Sequence, residues 1–170
     1  SWGELSVMFA TASGGARRNS LSDFTNVKAN GKIAMKLGDD DQLIGVQACS
    51  ETDDILLSSR NGKCIRFPVT DVRVFSSRSS TGVRGIRLDG DDKVISMSVL
   101  SHVKAEISER DEYLQSVSAS RRLAGGDYSD RPEDKVQDES RAERLNEALF
   151  AEMGENEEFI LTLADDGIGK

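Results

Sequence analysis

Short hydrophobic runs separated by polar turns fill the first hundred residues of the chain. The clearest set lies between Asp53 and Leu100, where turns rich in Asn, Gly, Ser and Asp divide the apolar runs. The runs are 55–57, 64–67, 85–88 and 94–99, and the turns are 61–62, 79–82 and 89–92. This spacing predicts a unit of four short β-strands.

The same unit occurs more than once along the chain. A shift of 48 residues places Gly14 on Gly62, and a shift of 51 places Lys36 on Arg87. A third copy begins near residue 158, where Gly167 aligns with Gly14. Repeats of about 45 to 50 residues with four strands each are typical of propeller-like arrays, whose units need neighbours to cover their faces. We therefore expect the chain to be part of a longer array.

Helix-forming residues replace the strand pattern after the second copy. A first helix is predicted over 103–123 and a loop over 125–132. A second helix is predicted from the capping box of Ser140 and Glu143, through Leu149, to a stop at Gly154. We expect a helical or partly disordered excursion. The predicted divisions are a blade at 1–52, a blade at 53–100, an acidic helical insertion at 101–157 and the start of a further blade at 158–170.

Several runs of sequence resemble the C-terminal domain of the A subunit of DNA gyrase. They are SVMFATASGGARRNSLSDF, NGKIAMKL, DDQLIGV, SRNGKCIRFPVTDVRV and STGVRGIRL. The corresponding domain of the A subunit of topoisomerase IV is less similar. The resemblance spans 5–100 and resumes at Phe159. It implies a mainly β fold, the β-pinwheel, in which propeller-like four-stranded blades exchange strands with their neighbours, present here as a partial ring with a helical insertion.

The resemblance also implies a function. The rim of such a ring binds duplex DNA and bends it around itself, which directs ATP-dependent negative supercoiling by the whole enzyme. The implied partners are double-stranded DNA, the rest of the gyrase A subunit, and the gyrase B subunit, in an A2B2 assembly in the bacterial cytoplasm, at the nucleoid. ATP and Mg²⁺ act on other domains, so no cofactor and no metal is expected in this segment.

Two family features are missing from this chain. The heptapeptide Gln-Arg-Arg-Gly-Gly-Lys-Gly, which marks the first blade of gyrases, is absent, so we expect these to be interior blades. The catalytic tyrosine of the breakage-reunion domain is also expected to lie elsewhere, because Tyr113 and Tyr128 match no catalytic context. No catalytic residue is predicted here.

A net charge of −8 is unfavourable for a DNA-binding protein, but the charge is distributed unevenly along the chain. Residues 1–100 carry 13 Lys and Arg against 12 Asp and Glu, a net of +1, whereas 101–170 carry 9 against 18, a net of −9. DNA binding then depends on whether the cations of the blades share one face. We expect the acidic insertion to repel DNA or to compete for those cations.

The cations occupy recurring positions within the repeat. Strand alternation predicts that Lys36 and Arg87 point away from the apolar residues beside them. The others flank the glycine turns or lie in or beside the long loop of each repeat, whereas the acids cluster in separate turns. The candidate DNA-contacting residues are Arg17, Arg18, Lys28, Lys32, Lys36, Lys63, Arg66, Arg73, Arg78, Arg84 and Arg87. With no base-reading helix in the pattern, binding should be directed at phosphates and tolerate any sequence.

An alternative is that these are ordinary solvated charges on a propeller-like scaffold that binds other proteins. Such a scaffold would tolerate neutralisation of the cations, and a DNA-wrapping module would not.

The sequence gives little support for a catalytic triad, a metal site or a membrane span. Cys49 and Cys64 indicate buried, reduced thiols of a cytoplasmic protein, His102 has no partner for a triad or a zinc site, and no run approaches the roughly 20 apolar residues of a membrane span.

Overall fold

The computed structural model describes residues 1–77, 79–123, 146–164 and 167. Within these residues, strands form two antiparallel sheets and two helices follow them. The strands are β1 (Ser6–Thr11), β2 (Gly15–Ser20), β3 (Leu43–Cys49), β4 (Asp53–Ser59), β5 (Cys64–Pro68), β6 (Val83–Arg84) and β7 (Val94–Ser101). The helices are α1 (Ile107–Leu123) and α2 (Glu147–Glu155).

The first sheet has the strand order β3-β1-β2-β6. Its central strand β1 is buried along its whole length, because both faces are covered. Met8 and Ala10 pack in the main core, whereas Val7 and Phe9 belong to a second cluster that includes Met35. Successive side chains of a strand point to opposite faces, so this one strand connects two separate hydrophobic clusters.

The second sheet has the order β5-β4-β7 and repeats the local geometry of the first. Gly14 and Gly62, the turn glycines of the two β-hairpins, have φ of 91° and 84°, and the amides of both donate to the carbonyl three residues earlier, at 3.0 and 3.1 Å. Each sheet also contains one register shift, after Ala10 and after Ser58. The repeat is therefore one of structure as well as of sequence.

The two sheets share one core. Ile55 and Leu57 of β4 are fully buried against Met8, Val94 and neighbouring residues. Complete burial of an aliphatic side chain contributes about 1.5–3 kcal/mol to folding. Cys49 also lies in this core, and burial raises the pKa of its thiol to about 11. The prediction of a buried thiol is wrong for Cys64, which is exposed on β5.

Strand β6 is contributed by the second repeat but pairs with β2 of the first, with Gly15 opposite Arg84. The predicted strand at 85–88 is wrong, because the amides of Gly85 and Ile86 both donate to the Gly14 carbonyl and turn the chain around that hairpin. Residues 31–37 are not a strand either, and the alternation predicted there fails: Met35 is buried while Ile33 is 76% exposed.

Residues Val103–Lys170 form a separate unit from Ser1–His102. The predicted first helix is confirmed from Ile107 onward, and α2 is capped by the Asn146 side chain, which accepts from the Ala148 amide at 2.9 Å. Tyr113 and Phe150 join the helices with ring centroids 5.0 Å apart. The predicted capping box at Ser140 and the loop at 125–132 lie outside the described residues.

The mainly β architecture is confirmed. The four sequence divisions remain predictions, since β6 crosses from one predicted blade to the sheet of the other. Neither described helix is long and apolar enough to cross a membrane.

Candidate nucleic-acid interface

Two segments of the chain carry several cations and no acid. Residues 24–38 contain three lysines and residues 72–88 contain four arginines, and neither segment contains Asp or Glu. Seven of the eleven predicted DNA-contacting residues therefore fall in two stretches of uniform sign. One of the seven, Arg78, lies outside the described residues.

Strand β2 and its neighbours bring these two segments together. Residues 72–88 run beside β2, where the Phe75 amide donates to the Arg18 carbonyl at 2.8 Å and β6 adds the last strand of the sheet. The loop 24–38 reaches the same place, because the Lys36 amide donates to the Ser80 carbonyl at 3.4 Å. The acid-free segment of one repeat is thus placed against that of the next.

A cleft of about 580 Å³ lies between the two segments. Its lining combines two ammonium groups with amide and hydroxyl side chains. The lining residues are Asn26, Lys28, Asn30, Gly31, Lys32, Ile33, Ser77 and Ser79. Ammonium, amide and hydroxyl groups can all donate hydrogen bonds to phosphate oxygens. Lys32 is already oriented, since its Nζ donates to the Asp23 carbonyl.

The described cations of the two segments make up what we term the basic strip. Its members are Lys28, Lys32, Lys36, Arg73, Arg84 and Arg87. Among the described residues none of them forms an ion pair, and all but the half-buried Lys32 are exposed. Arg84 and Arg87 lie beside the Gly14 turn, and Lys28 and Lys32 line the cleft. The Lys36 amide is bound to Ser80, next to Ser79 of the cleft, and Arg73 lies on the Phe75 ring. The strip therefore presents positive charge that no described carboxylate neutralises.

Lys63 and Arg66, two further predicted residues, are paired with acids. Lys63 Nζ lies 3.1 Å from Asp89, and Arg66 Nε lies 2.7 Å from the buried carboxylate of Asp54 and donates through Nη2 to the Ser101 carbonyl. An exposed pair adds only about 0–1 kcal/mol of stability, but it does cancel the local field. We therefore do not count Lys63 and Arg66 in the basic strip, because acids neutralise their charges.

Arg17 and Arg18 were predicted to contact DNA, but the structure places both inside the protein. Their side chains are 0% and 4% exposed, because β2 is an interior strand whose two faces are both covered. Arg18 donates to Ser6 Oγ at 2.9 Å and to Glu51 at 2.6 Å, which satisfies its charge inside the protein. A buried guanidinium cannot contact a duplex lying on the surface.

The acidic turns have a structural role that recurs in each repeat. Asp41 accepts hydrogen bonds from the amide and hydroxyl of Ser13 at 2.9 and 2.6 Å, and Asp92 accepts from the Asn61 amide at 3.0 Å. Each carboxylate thus joins an acidic turn to the hairpin turn beside it. Partial burial raises the pKa of Asp41, but the hydrogen bonds outweigh it and leave that pKa lowered. The pKa of Asp92 is also lowered, mainly by a hydrogen bond from Ser59.

Several residues of the interface were missed by sequence reasoning. The cleft is lined by the amides of Asn26 and Asn30 and the hydroxyl of Ser77, which look like ordinary loop residues in the sequence. The uninterrupted absence of acid over 24–38 and 72–88 was the available signal, and it identifies the two segments without any structural information.

The family model described as DNA gyrase C-terminal domain, beta-propeller, matches residues 6–50 and 53–101, which is more than half of the chain and corresponds to its two repeats. The chain belongs to this family. The resemblance that the sequence runs indicated is therefore confirmed.

Individual gyrase A subunits match nearly the whole chain. The A subunit of DNA gyrase from Granulibacter bethesdensis is 49% identical over 177 residues, covering 99% of this chain and 19% of that protein. The corresponding subunit of Rickettsia bellii is 48% identical over 173 residues, covering 99% of this chain and 18% of that protein. The chain spans about a fifth of the length of these relatives.

Solved structures agree on the fold. A structure of the DNA gyrase A C-terminal domain matches 58% of this chain and 32% of its own with a TM-score of 0.52 and 26% identity. The C-terminal domain of DNA topoisomerase IV matches 58% of this chain and 31% of its own with a TM-score of 0.55 and 20% identity. The higher identity is to the gyrase domain, as the sequence runs indicated.

Proposed function

We propose that this chain is a DNA-wrapping module of a gyrase A subunit, which binds duplex DNA along the basic strip without regard to sequence. The observation that carries the proposal is the juxtaposition of two acid-free segments from successive repeats, which leaves six described cations without a carboxylate partner. Membership of the gyrase C-terminal domain family supports the same function.

Phosphate contacts account for the energetics of this function. Bending a duplex smoothly by 40–90° over 20–30 base pairs costs on the order of 1–6 kcal/mol. Each phosphate neutralised by Lys or Arg releases condensed counterions, and the slope of log affinity against log salt changes by about 0.9 per contact. Six contacts would reduce affinity by about 10³ between 50 and 200 mM salt. Many weak contacts along a curved surface can therefore offset the cost of bending.

In the whole enzyme this module would act together with the remainder of the gyrase A subunit, and with the gyrase B subunit, in an A2B2 assembly. The wrapped duplex would be presented for strand passage, which sets the direction of negative supercoiling in the bacterial cytoplasm. ATP and Mg²⁺ would be used by other parts of that assembly. The residues of this chain would bind and bend DNA and would perform no bond chemistry.

A salt titration of duplex binding tests the proposal. The chain is mixed with end-labelled duplexes of about 30 base pairs and unrelated sequence, and affinity and end-to-end distance are measured by fluorescence from 50 to 300 mM KCl. We expect similar affinity for each sequence, a steep linear fall with log salt, and a shorter end-to-end distance in the complex.

Two outcomes would contradict the proposal. An absence of duplex binding at 50 mM KCl would favour the alternative, a scaffold that binds other proteins. Binding with an unchanged end-to-end distance would leave a DNA-binding module that does not wrap.

A further inference from the structure

Arg17 is a buried cation without a counter-charge among the residues that the structure describes. Its side chain is 0% exposed, and no described carboxylate forms an ion pair with it. Its Nε donates to Asn19 Oδ1 at 2.9 Å, and its Nη1 donates to the Ser80 hydroxyl at 2.7 Å and to the Ser80 carbonyl. Its Nη2 is buried and has no hydrogen-bond partner among the described residues. Burial of a charge in this state is costly in free energy.

A second cation shares the aromatic ring beside Arg17. The guanidinium carbon of Arg17 lies 4.8 Å from the centroid of the Phe75 ring, and that of the exposed Arg73 lies 3.9 Å from it. Burial, and after it the charge of Arg73, lower the pKa of Arg17. Two positive groups therefore meet at one ring, with no described acid to compensate them. An anion beside Arg73 would relieve the repulsion.

Arg18 shows that a buried arginine on β2 can have a carboxylate partner. It follows Arg17 in the chain and is also buried, on the opposite face of the strand. It lies 2.6 Å from Glu51 and donates to Ser6. Within the described part of the chain, Arg18 therefore has a carboxylate partner and Arg17 has none. Arg17 is the one connected, through Ser80 and Phe75, to the segment that carries the basic strip.

We propose that Arg17 is a positioning residue of the basic strip. Arg17 holds Ser80 and the Phe75–Arg73 stack so that Arg73 meets a DNA phosphate. This phosphate supplies the counter-charge that Arg17 and Arg73 lack among the described residues. The inference rests on the proposed function. Arg17 makes no contact with DNA, because its guanidinium is enclosed by protein. Its effect is preorganisation: the segment bearing Ser77 and Ser79 at the cleft is ordered before DNA arrives, so less conformational entropy is lost on binding.

The test compares four proteins, the unaltered chain and its Arg17→Gln, Arg73→Gln and Arg18→Gln variants, by duplex affinity over a range of salt. Arg73→Gln should reduce the slope of log affinity against log salt by about 0.9, because a phosphate contact is lost. Arg17→Gln should weaken binding about 2- to 30-fold at every salt concentration with the slope unchanged, which is the range of coupling through an intermediate residue. Arg18→Gln should lower the melting temperature and leave the affinity of the folded protein unchanged.

A second variant keeps the inference testable if Arg17→Gln does not fold. Ser80→Ala removes the hydroxyl that accepts from Arg17 but keeps the carbonyl contact, so it should weaken binding in the same direction and by less. The double variant should be little weaker than Arg17→Gln alone, because the Ser80 hydroxyl acts through Arg17. A slope reduced by Arg17→Gln would mean direct phosphate contact and overturn the positioning role. Unchanged affinity in both variants, with the unaltered chain still binding, would overturn the inference alone. Failure of the unaltered chain to bind would refute the proposed function itself.

Discussion

Removal of the two lysines that line the cleft is the most direct perturbation of the basic strip. Lys28 and Lys32 face the same cavity as Ser77 and Ser79, and neither forms an ion pair among the described residues. Lys28→Gln and Lys32→Gln together keep side chains of similar length and remove two charges. An exposed substitution such as Lys28→Gln usually changes the free energy of unfolding by less than about 0.5 kcal/mol. Lys32→Gln also loses the Nζ hydrogen bond to the Asp23 carbonyl, so thermal melts should establish that the double variant is folded before binding is measured.

The expected magnitude follows from the number of phosphates. Two lost contacts reduce the slope of log affinity against log salt by about 1.8, which corresponds to about 60-fold weaker binding at 0.1 M salt if affinity at 1 M is unchanged. The assay is fluorescence anisotropy of a labelled duplex of about 30 base pairs between 50 and 300 mM KCl. The slope is the decisive quantity, because a general loss of active protein changes affinity but not slope.

A matched control removes two exposed cations outside the strip. Arg60 and Lys93 lie together at the hairpin end of the second sheet, where the Arg60 amide donates to the Lys93 carbonyl at 2.8 Å, and Asp91 lies 3.3 Å from the Arg60 guanidinium. Their replacement by Gln should leave the slope nearly unchanged, because the acids around them already repel phosphate. An unchanged slope in the Lys28/Lys32 variant, or an equal fall in the control, would refute the assignment of DNA binding to the cleft.

Three further changes test the fold and the charge distribution. Gly82→Ala should lower the free energy of unfolding by more than about 2 kcal/mol, because its φ is 97° and a Cβ there would clash with the Ala16 carbonyl oxygen. Gly62→Ala is the control: its φ is 84° but its Cβ would meet open space, so it should cost about 1 kcal/mol. Thermal melts measure both. Because the folded pKa values of Asp41 and Asp92 are lowered, their stabilising effect is present above the unfolded pKa and is lost as pH falls through the folded values. Urea unfolding should therefore show acid destabilisation that Asp→Asn changes at both sites reduce. Deletion of 104–156 should raise affinity for linear DNA at low salt, in the duplex-binding assay.

Each of these expectations has a result that would contradict it. Equal melting temperatures for the two glycine variants would mean that the close approach of β6 to β2 is not required for stability. Acid sensitivity unaffected by the aspartate changes would place the titrating groups elsewhere. Unchanged DNA affinity after deletion of 104–156, measured at low salt, would show that the acidic insertion neither repels DNA nor competes for the basic strip.

The repeat made the hairpins predictable, and tertiary contacts made the long loops unpredictable. Gly14 and Gly62 were identified from sequence alone, because a left-handed turn between two short strands requires a residue such as glycine. Residues 85–88 have the same alternating pattern as a strand, but two of their amides bind one carbonyl of a distant hairpin. No local pattern encodes that contact. Met35 is likewise buried by a second hydrophobic cluster that forms only after the loop has folded back.

The candidate site was predictable in part for the same reason. Charge type and position along the repeat identified the cations of the strip, but alternation alone could not show which cations are enclosed. Two adjacent arginines on a strand necessarily point to opposite faces, so Arg17 and Arg18 could both be exposed only on a strand with two open faces. Strand β2 has none, because Phe75 and Ser80 cover the Arg17 side of the strand, and Val69 and Glu51 lie against Arg18 on the other side.

The distribution of acids explains how a chain of net charge −8 can present a basic surface. In the first hundred residues, acids such as Asp41, Asp54 and Asp92 are bound by turn amides, hydroxyls or arginine, so their charges are held where they stabilise the repeat. The excess of acid over base lies beyond residue 100, where there are 18 Asp and Glu and 9 Lys and Arg. Under the proposed function we expect net charge to matter most for the encounter with DNA at low salt, where screening is weak, and the absence of acid over 24–38 and 72–88 to determine where a duplex binds.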